Sequence, residues 1–274
     1  MNPLTPLVQW PGGKRKLVDK IVELLEVPDT EPVMEPFAGG AALFFSRRVP
    51  SVLADANEDL RNLYRVVANN PRAMIQALTS LPPVVEKSAY YKARDTFNRR
   101  TLPDAGRAAY FLWLNRAGYN GLVRYNRAGG YNVPCGTEGK AVGIDYALVL
   151  AASELLSKSL VLDGYEKVGA HSWNYVYLDP PYQPAPGKKA FTAYSGVAWD
   201  VSDLESLTRR VQTWRRHSPR ARILASDLIT PDTERLWSAA GAKLVAELDV
   251  RRPINRDADG RGPVREGMWL LGPS

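Results

Sequence analysis

Short apolar runs bounded by turn-forming residues recur along the chain at Pro32–Glu35, Ser51–Ala54, Leu160–Leu162, Tyr175–Leu178, Arg222–Ala225, Lys243–Leu248 and Met268–Leu271. They are too short for helices and rich in β-branched or aromatic residues, which predicts strands. Between most of them, apolar positions recur at helical spacing: Lys14–Leu25, Ala41–Ser46, Glu58–Val67, Tyr146–Leu156, Asp203–Trp214 and Thr233–Ala239. Strands alternating with helices predict a parallel, doubly wound α/β sheet. Too little sequence separates the last two strands for a helical crossover, so they are expected to close the sheet as an antiparallel hairpin.

The alternation breaks after the second strand. From about Asn57 to Gly143 the pattern is helical at Pro71–Leu78, Ala89–Phe97 and Arg107–Asn115, and then turns into a Gly-, Asn- and Tyr-rich stretch over Arg116–Pro134. This predicts an insert, residues 57–143, ending in a loop and hairpin, within a sheet domain built from residues 1–56 and 144–274.

Composition narrows the function classes. With 274 residues, 45% hydrophobic and 24% charged, the chain reads as an ordinary globular protein. No apolar run approaches the ~20 residues of a membrane span, and the first residues lack the basic and apolar regions of a signal peptide. A single cysteine, Cys135, excludes an intrachain disulfide and fits a reducing cytoplasm. Cys135 with two histidines, His171 and His217, cannot build the usual zinc site. The Pro134-Cys135 pair lacks the second cysteine and His-x-Glu of a nucleobase deaminase.

Net charge is +7 and unevenly placed. Lys92 to Arg127 holds eight Lys/Arg against two Asp, interleaved with aromatic and amide residues, which points to a nucleic-acid partner. Arg209, Arg210, Arg215, Arg216, Arg220 and Arg222 fall in or beside a helical pattern and read as a solvated face. A third group is Arg251, Arg252, Arg256, Arg261 and Arg265.

Asp179-Pro180-Pro181-Tyr182 follows the predicted strand Tyr175–Leu178, and the ends of such strands are where ligands bind in open α/β sheets. The prolines cannot extend the strand and leave carbonyls facing outward. A carboxylate acceptor before them and an aromatic ring after them suit a flat, amino-bearing group such as a nucleobase. Glu35-Pro36-Phe37-Ala38-Gly39-Gly40-Ala41 is a glycine turn between strand and helix, open to close approach by a ligand, although its spacing is not the dinucleotide fingerprint. Asp55 ends the next strand, where a carboxylate can bind ribose hydroxyls. Its other reading is a helix N-cap, a role open to Asn57 as well. Trp10-Pro11-Gly12-Gly13-Lys14 has Val8 and Arg15 where a phosphate loop needs Gly and Ser/Thr, which excludes an NTPase. Trp10 and Lys14 suit an adenine ring and a carboxylate.

In this order, these pieces resemble the DNA adenine-N6 methyltransferases of the Dam type (class α, D12 family). The resemblance is strongest in Leu114-Asn115-Arg116-Ala117-Gly118-Tyr119-Asn120-Gly121-Leu122, Arg124-Tyr125-Asn126 and Tyr131-Asn132-Val133-Pro134. It implies a Rossmann-like methyltransferase sheet with a terminal antiparallel hairpin and an inserted helical DNA-recognition subdomain. It implies S-adenosylmethionine as methyl donor, held by Trp10, Lys14, Phe37, Ala38, Gly39, Gly40 and Asp55, with Asp179 near both donor and base, and no metal. Asp179, Pro180, Pro181 and Tyr182 would form the catalytic set. Tyr119 would wedge a base step, and Asn120, Leu122, Arg124, Asn126 and Pro134 would contact double-stranded DNA, within GATC. Phe191-Thr192-Ala193-Tyr194 and Arg251-Arg252 also match the family. The sequence departs at Gln9 and Pro11, at Ala38-Gly39-Gly40-Ala41, and in the loop Asn255–Gly260.

The resemblance implies a cytoplasmic, nucleoid-associated enzyme of a prokaryote or phage-infected cell, with no membrane partner. It leaves open a cognate restriction enzyme and the choice between monomer and weak dimer. Competing readings are an N4-cytosine methyltransferase, in which Ser-Pro-Pro-Tyr is more usual, an RNA or protein methyltransferase, and a non-catalytic DNA-binding protein on the same scaffold. Intact Asp179–Tyr182 and Lys14 argue against the last.

Overall fold

In the computed structural model, which describes residues 3–169, 173–182, 199–251 and 263–273, the chain begins with α1 (Val18–Leu25), α2 (Ala42–Arg47) and β1 (Val52–Asp55). The insert contributes α3 (Glu58–Asn69), α4 (Pro71–Thr79), α5 (Lys87–Asn98) and α6 (Asp104–Ala117). Then follow α7 (Tyr146–Leu156), β2 (Leu160–Asp163), β3 (Tyr175–Leu178), α8 (Val201–His217), β4 (Arg222–Leu228), α9 (Pro231–Ala239), β5 (Lys243–Arg251) and β6 (Pro263–Leu271). Two compact units emerge, one of residues 3–15 and 37–168, the other of residues 16–36 and the described residues from 169 onward.

In the first unit β1 and β2 pair in parallel, from Val52 opposite Leu160 to Asp55 opposite Asp163. α6 forms the centre of the helical part. Ala108, Ala109, Phe111, Leu112, Trp113 and Leu114 are all buried, so the helix is apolar around its circumference. One continuous core joins it to Phe45 of α2, Leu53 of β1, Leu63 of α3 and Val149 of α7. That shared core is why the glycine turn, β1, β2 and the insert fall in one unit, whereas the expected boundaries set 57–143 apart. Asn57 caps α3, its Oδ1 accepting from Leu60 N at 2.9 Å, and Glu58 and Asp59 complement the positive helix end.

In the second unit the sheet order is β3-β4-β6-β5. β3 and β4 are parallel, and β6 runs antiparallel to both β4 and β5, which is the expected terminal hairpin. The expected first strand shrinks to bridge residues at Met34 and Glu35, Met34 pairing in parallel with Val176 through bonds of 3.0 and 2.9 Å to Tyr175 and Tyr177. Pro32 and Pro36 flank it and cannot donate to a ladder. α8 opens on a reciprocal Asp200–Asp203 capping box, and α9 on Thr230 with Pro231 in the first turn. β4 is buried along nearly its whole length, as a central strand must be, yet it carries Ser226 and Asp227.

The arginine groups sort by partner. Arg215 donates to the carbonyls of Pro219, Ala221 and Gly272 at 2.5, 2.7 and 3.2 Å, and Arg222 pairs with Glu26 at 2.8 Å. Arg215 and Arg222 are thus half-buried ties within the unit rather than part of the expected solvated face, on which Arg209, Arg216 and Arg220 do lie exposed. Within the Lys92–Arg127 group, Lys92, Arg99, Arg100 and Arg127 are exposed, while Arg107 and Arg116 are turned inward.

Candidate active site

In the first unit, β1 delivers Asp55 to the glycine turn. Its Oδ2 accepts the N–H of Gly39 at 2.9 Å and its Oδ1 the N–H of Asn57 at 2.8 Å. Asn57, not Asp55, is the helix cap, so the carboxylate is left to organise the turn. Ala38 N–H donates to Ala54 O at 2.8 Å and Tyr64 Oη donates to Gly39 O at 2.6 Å, pinning the turn from both sides. Burial raises the Asp55 pKa above the ordinary aspartate range, against the lowering effect of the Asn57 and Gly39 N–H groups and Arg61.

The Trp10 indole lies on this turn. A Cβ at Gly39 would stand 2.8 Å from Trp10 Nε1, and one at Gly40 3.1 Å from Trp10 Cβ. Trp10-Pro11-Gly12-Gly13 closes through Gly13 N to Trp10 O at 3.0 Å, with Gly12 at φ +76°. Proline second and a positive-φ glycine third are what a type II turn requires. Lys14 follows the turn and is buried. The Phe37 ring stacks on Tyr165 at 5.2 Å. Of the residues expected to hold a cofactor, Trp10, Phe37, Ala38, Gly39, Gly40 and Asp55 lie in or against the glycine turn, and Lys14 follows the neighbouring Trp10–Gly13 turn.

The stretch expected from sequence to read DNA lies in the same unit. Tyr119 is 50% exposed, and its N–H donates to Pro134 O at 3.0 Å, so Tyr119, Asn120 and Pro134 share one exposed end of the insert. Leu122 is only 6% exposed, so its side chain is core and its backbone is what it can offer a ligand. Arg124 is oriented by Asn132, through Nε to Oδ1 at 2.7 Å and Nη2 to the carbonyl at 2.8 Å. Asn126 Oδ1 accepts from Ala128 N at 3.0 Å and Gly130 N at 2.9 Å, closing the hairpin tip. Below, Tyr125 Oη donates to Asp59 at 2.7 Å, and Arg107 donates to the same buried carboxylate at 2.6 Å.

In the second unit, Asp179-Pro180-Pro181-Tyr182 leaves the C-terminal end of β3, and Tyr182 Oη reaches back to Asp179 Oδ1 at 3.4 Å. Pro180 is buried and the other three are half-buried. The neighbouring strands bring further acids. Asp227 ends β4, accepting from Trp237 Nε1 at 3.1 Å and Leu228 N at 2.8 Å. Glu266 of β6, 1% exposed, pairs in register with Leu228 and is a hydrogen-bond partner of Tyr182. Burial, with the charges of Asp179 and Glu266, holds Tyr182 well above the usual phenol range. Asp227 is pushed up to about 7, chiefly by burial. Tyr177 Oη and Ser226 Oγ meet at 2.7 Å beneath the motif.

A sequence model of the D12 class N6 adenine-specific DNA methyltransferases matches residues 10–247. The chain belongs to that family. It is 32% identical to a DNA adenine methylase of Vibrio cholerae, over 100% of this chain and 98% of the relative. It is 34% identical to the DNA adenine methylase of Escherichia coli K12, with 97% and 95% covered. It is also 31% identical to the type II methyltransferase M.MjaIII of Methanocaldococcus jannaschii, with 97% of each covered. The chain is therefore a DNA N6-adenine methyltransferase.

Phe191–Tyr194, Arg252, Arg256, Arg261, His171 and the loop 255–260 lie outside the described residues, as does the Arg251 side chain. Among the described residues no group of His, Cys, Asp and Glu could hold a metal, and no helix is long and apolar enough to cross a membrane. Sequence reasoning missed Asp227 and Glu266. The signal was there in part: Ser226-Asp227 continues an apolar strand whose end faces the same way as that of β3.

Proposed function

We propose that this DNA methyltransferase moves the methyl group of S-adenosylmethionine to N6 of an adenine flipped out of the duplex, within GATC. The observation that carries the reading is the Asp179–Tyr182 motif at the C-terminal end of β3, with Tyr182 returning to the Asp179 carboxylate. The residues in the first unit fit a nucleoside-bearing cofactor. The turn leaves no room for a Cβ at Gly39 against Trp10, and each Asp55 oxygen, after accepting one backbone N–H, keeps a lone pair for a ribose hydroxyl. Trp10, Lys14, Phe37, Ala38, Gly39, Gly40 and Asp55 would hold it. When bound, S-adenosylmethionine supplies an electrophilic methyl carbon on a sulfonium.

The amino nitrogen of adenine is a poor nucleophile because its lone pair is delocalised into the ring. Asp179 and the Pro180 carbonyl accept its two N–H groups, which favours a pyramidal nitrogen with its lone pair available. Tyr182, held by Asp179 and Glu266, stacks on the base. Extruding the base costs a few kcal/mol, offset by phosphate contacts from the exposed cations of the insert. Tyr119 is the wedge, and Asn120, Arg124 and the ends formed by Leu122, Asn126 and Pro134 read or position the duplex, with 57–143 as the recognition insert. The test is methyl transfer from labelled S-adenosylmethionine to duplex oligonucleotides. Label on N6 of adenine in GATC alone supports the reading. Label on cytosine N4, or in another motif, rejects the corresponding part.

A further inference from the structure

Asn115 sits on α6 with no exposed surface, and each of its hydrogen-bonding groups reaches outside its own helix. Its Oδ1 accepts the N–H of Gln9 at 2.8 Å, and its Nδ2 donates to the Gln9 carbonyl at 2.8 Å. The side chain thus pairs with Gln9 as one strand residue pairs with another. The second Nδ2 proton goes to the carbonyl of Gly121 at 2.9 Å. One buried amide therefore joins two segments that are remote in sequence.

Those segments have different expected tasks. Gln9 precedes Trp10, whose indole covers Gly39 beside the Asp55 carboxylate. Gly121 belongs to the exposed turn with Tyr119 and Asn120. It lies so close to the N-terminal segment that a Cβ there would stand 2.2 Å from Gln9 Oε1. Arg116, one residue on from Asn115, donates to Leu7 O at 2.5 and 3.0 Å and clamps the same segment. The Gln9 backbone next to Trp10 and the Gly121 carbonyl thus share one buried amide, through which a backbone shift at Trp10 would be passed to Gly121. Left unpaired, that amide has no water to turn to, which makes the link stiff.

We propose that Asn115 is a positioning residue that couples occupancy of the cofactor turn to the conformation of the DNA-reading turn. This rests on the function proposed above. The consequence is reciprocal: duplex DNA and the nucleoside ligand raise each other's affinity by one common factor.

Calorimetry measures S-adenosylhomocysteine affinity for the full chain with and without a GATC duplex, in wild type and in Asn115→Leu. The expected wild-type coupling is ~5-fold or more, falling to within about twofold of none in the variant, with each ligand still bound alone. A role confined to stability would lower Tm and leave the factor intact. Should the variant not fold, hydrogen exchange on the wild type takes its place. S-adenosylhomocysteine alone should then slow exchange at Tyr119 and Leu122, whose N–H groups donate to Pro134 and Tyr119. Coupling that survives Asn115→Leu, wild-type binding of both ligands without coupling, or unchanged exchange at Tyr119–Leu122 overturns the proposal. Failure of the wild type to bind either ligand would instead count against the proposed function.

Discussion

The backbone N–H of Gly39 is held by Asp55 Oδ2 at 2.9 Å. The carboxylate that would meet a ribose therefore also sets the shape of the turn beneath it. Asp55→Ala should weaken S-adenosylmethionine binding by roughly 1.5–3 kcal/mol, the scale of a charge-assisted hydrogen bond lost from a half-buried site. Burial raises the Asp55 pKa, so the carboxylate protonates at a higher pH than an ordinary aspartate. Affinity should fall on acidification before solvent-exposed carboxylates titrate, and Asp55→Asn should abolish that part of the pH dependence. Titration calorimetry across mildly acidic pH decides; a flat wild-type profile would sink the ribose assignment.

Gly39 itself should tolerate no side chain. Its φ is +47° and an added Cβ meets the Trp10 ring. Gly39→Ala should cost about 1–3 kcal/mol by denaturation. In a Trp10→Ala background the steric part disappears and roughly 1 kcal/mol of backbone strain remains. Equal costs in both backgrounds would show that Trp10 does not cover the turn.

Asp179→Ala should reduce single-turnover transfer by at least ~10²-fold, as expected when one preorganised partner of the reacting group is lost. Duplex binding should persist, because the phosphate contacts proposed for the insert lie elsewhere. Near-normal transfer by this variant would remove Asp179 from the mechanism.

Arg124 is presented by Asn132 through bonds of 2.7 and 2.8 Å. An oriented guanidinium can give guanine two hydrogen bonds in the major groove. Arg124→Ala should relax preference at one base pair by ~1–3 kcal/mol, and Asn132→Ala should relax the same position to a smaller degree. Methylome sequencing in a methylation-free host reads both. Uniform weakening at all sites would mean that Arg124 contacts phosphate instead.

Asp227 makes stability depend on pH with a definite sign. Its pKa is pushed to about 7 from an unfolded value of 3.8. Between those values the folded chain keeps a proton that the unfolded chain releases, so stability falls as pH rises, by at most about 1.4 kcal/mol per unit from this group. Asp227→Asn should remove that slope and gain relative to wild type at pH 8. Denaturation series at pH 5 and pH 8 should differ less for the variant than for the wild type; identical differences would contradict the assignment.

The sequence was most legible where a pattern is local. Tyr146–Leu156 runs as a helix between its expected ends, and Tyr175–Leu178 as a strand, because apolar spacing and turn residues suffice to define them. Pro32–Glu35 has the pattern of a full strand, but prolines on both sides leave only isolated bridge residues at Met34 and Glu35. The N-cap alternative for Asp55 falls away because Asn57 is the cap. What stayed hidden depends on partners far apart in the chain. Arg107 belongs by sequence to the basic group expected to face DNA, but it is paired with the buried Asp59. Asn115 and Arg116 carried a family resemblance without revealing that they hold Pro6, Leu7 and Gln9. Asp227 and Glu266 meet the Tyr182 environment only through the order of β3, β4 and β6.

The buried foot of Tyr125 has a consequence for swapping target preference between enzymes of this kind. The hairpin that carries Arg124 is plugged through Tyr125 into Asp59, which Arg107 holds from the other side of the carboxylate, and Asn98 brackets Tyr131 through bonds of 2.8 and 3.0 Å. A graft of residues 122–134 into a distant relative should therefore carry its own socket, with positions 59, 98 and 107 moved as part of the cassette. A hairpin transplanted without them should melt earlier than one transplanted with them, and should lose its target preference even where every exposed residue has been copied.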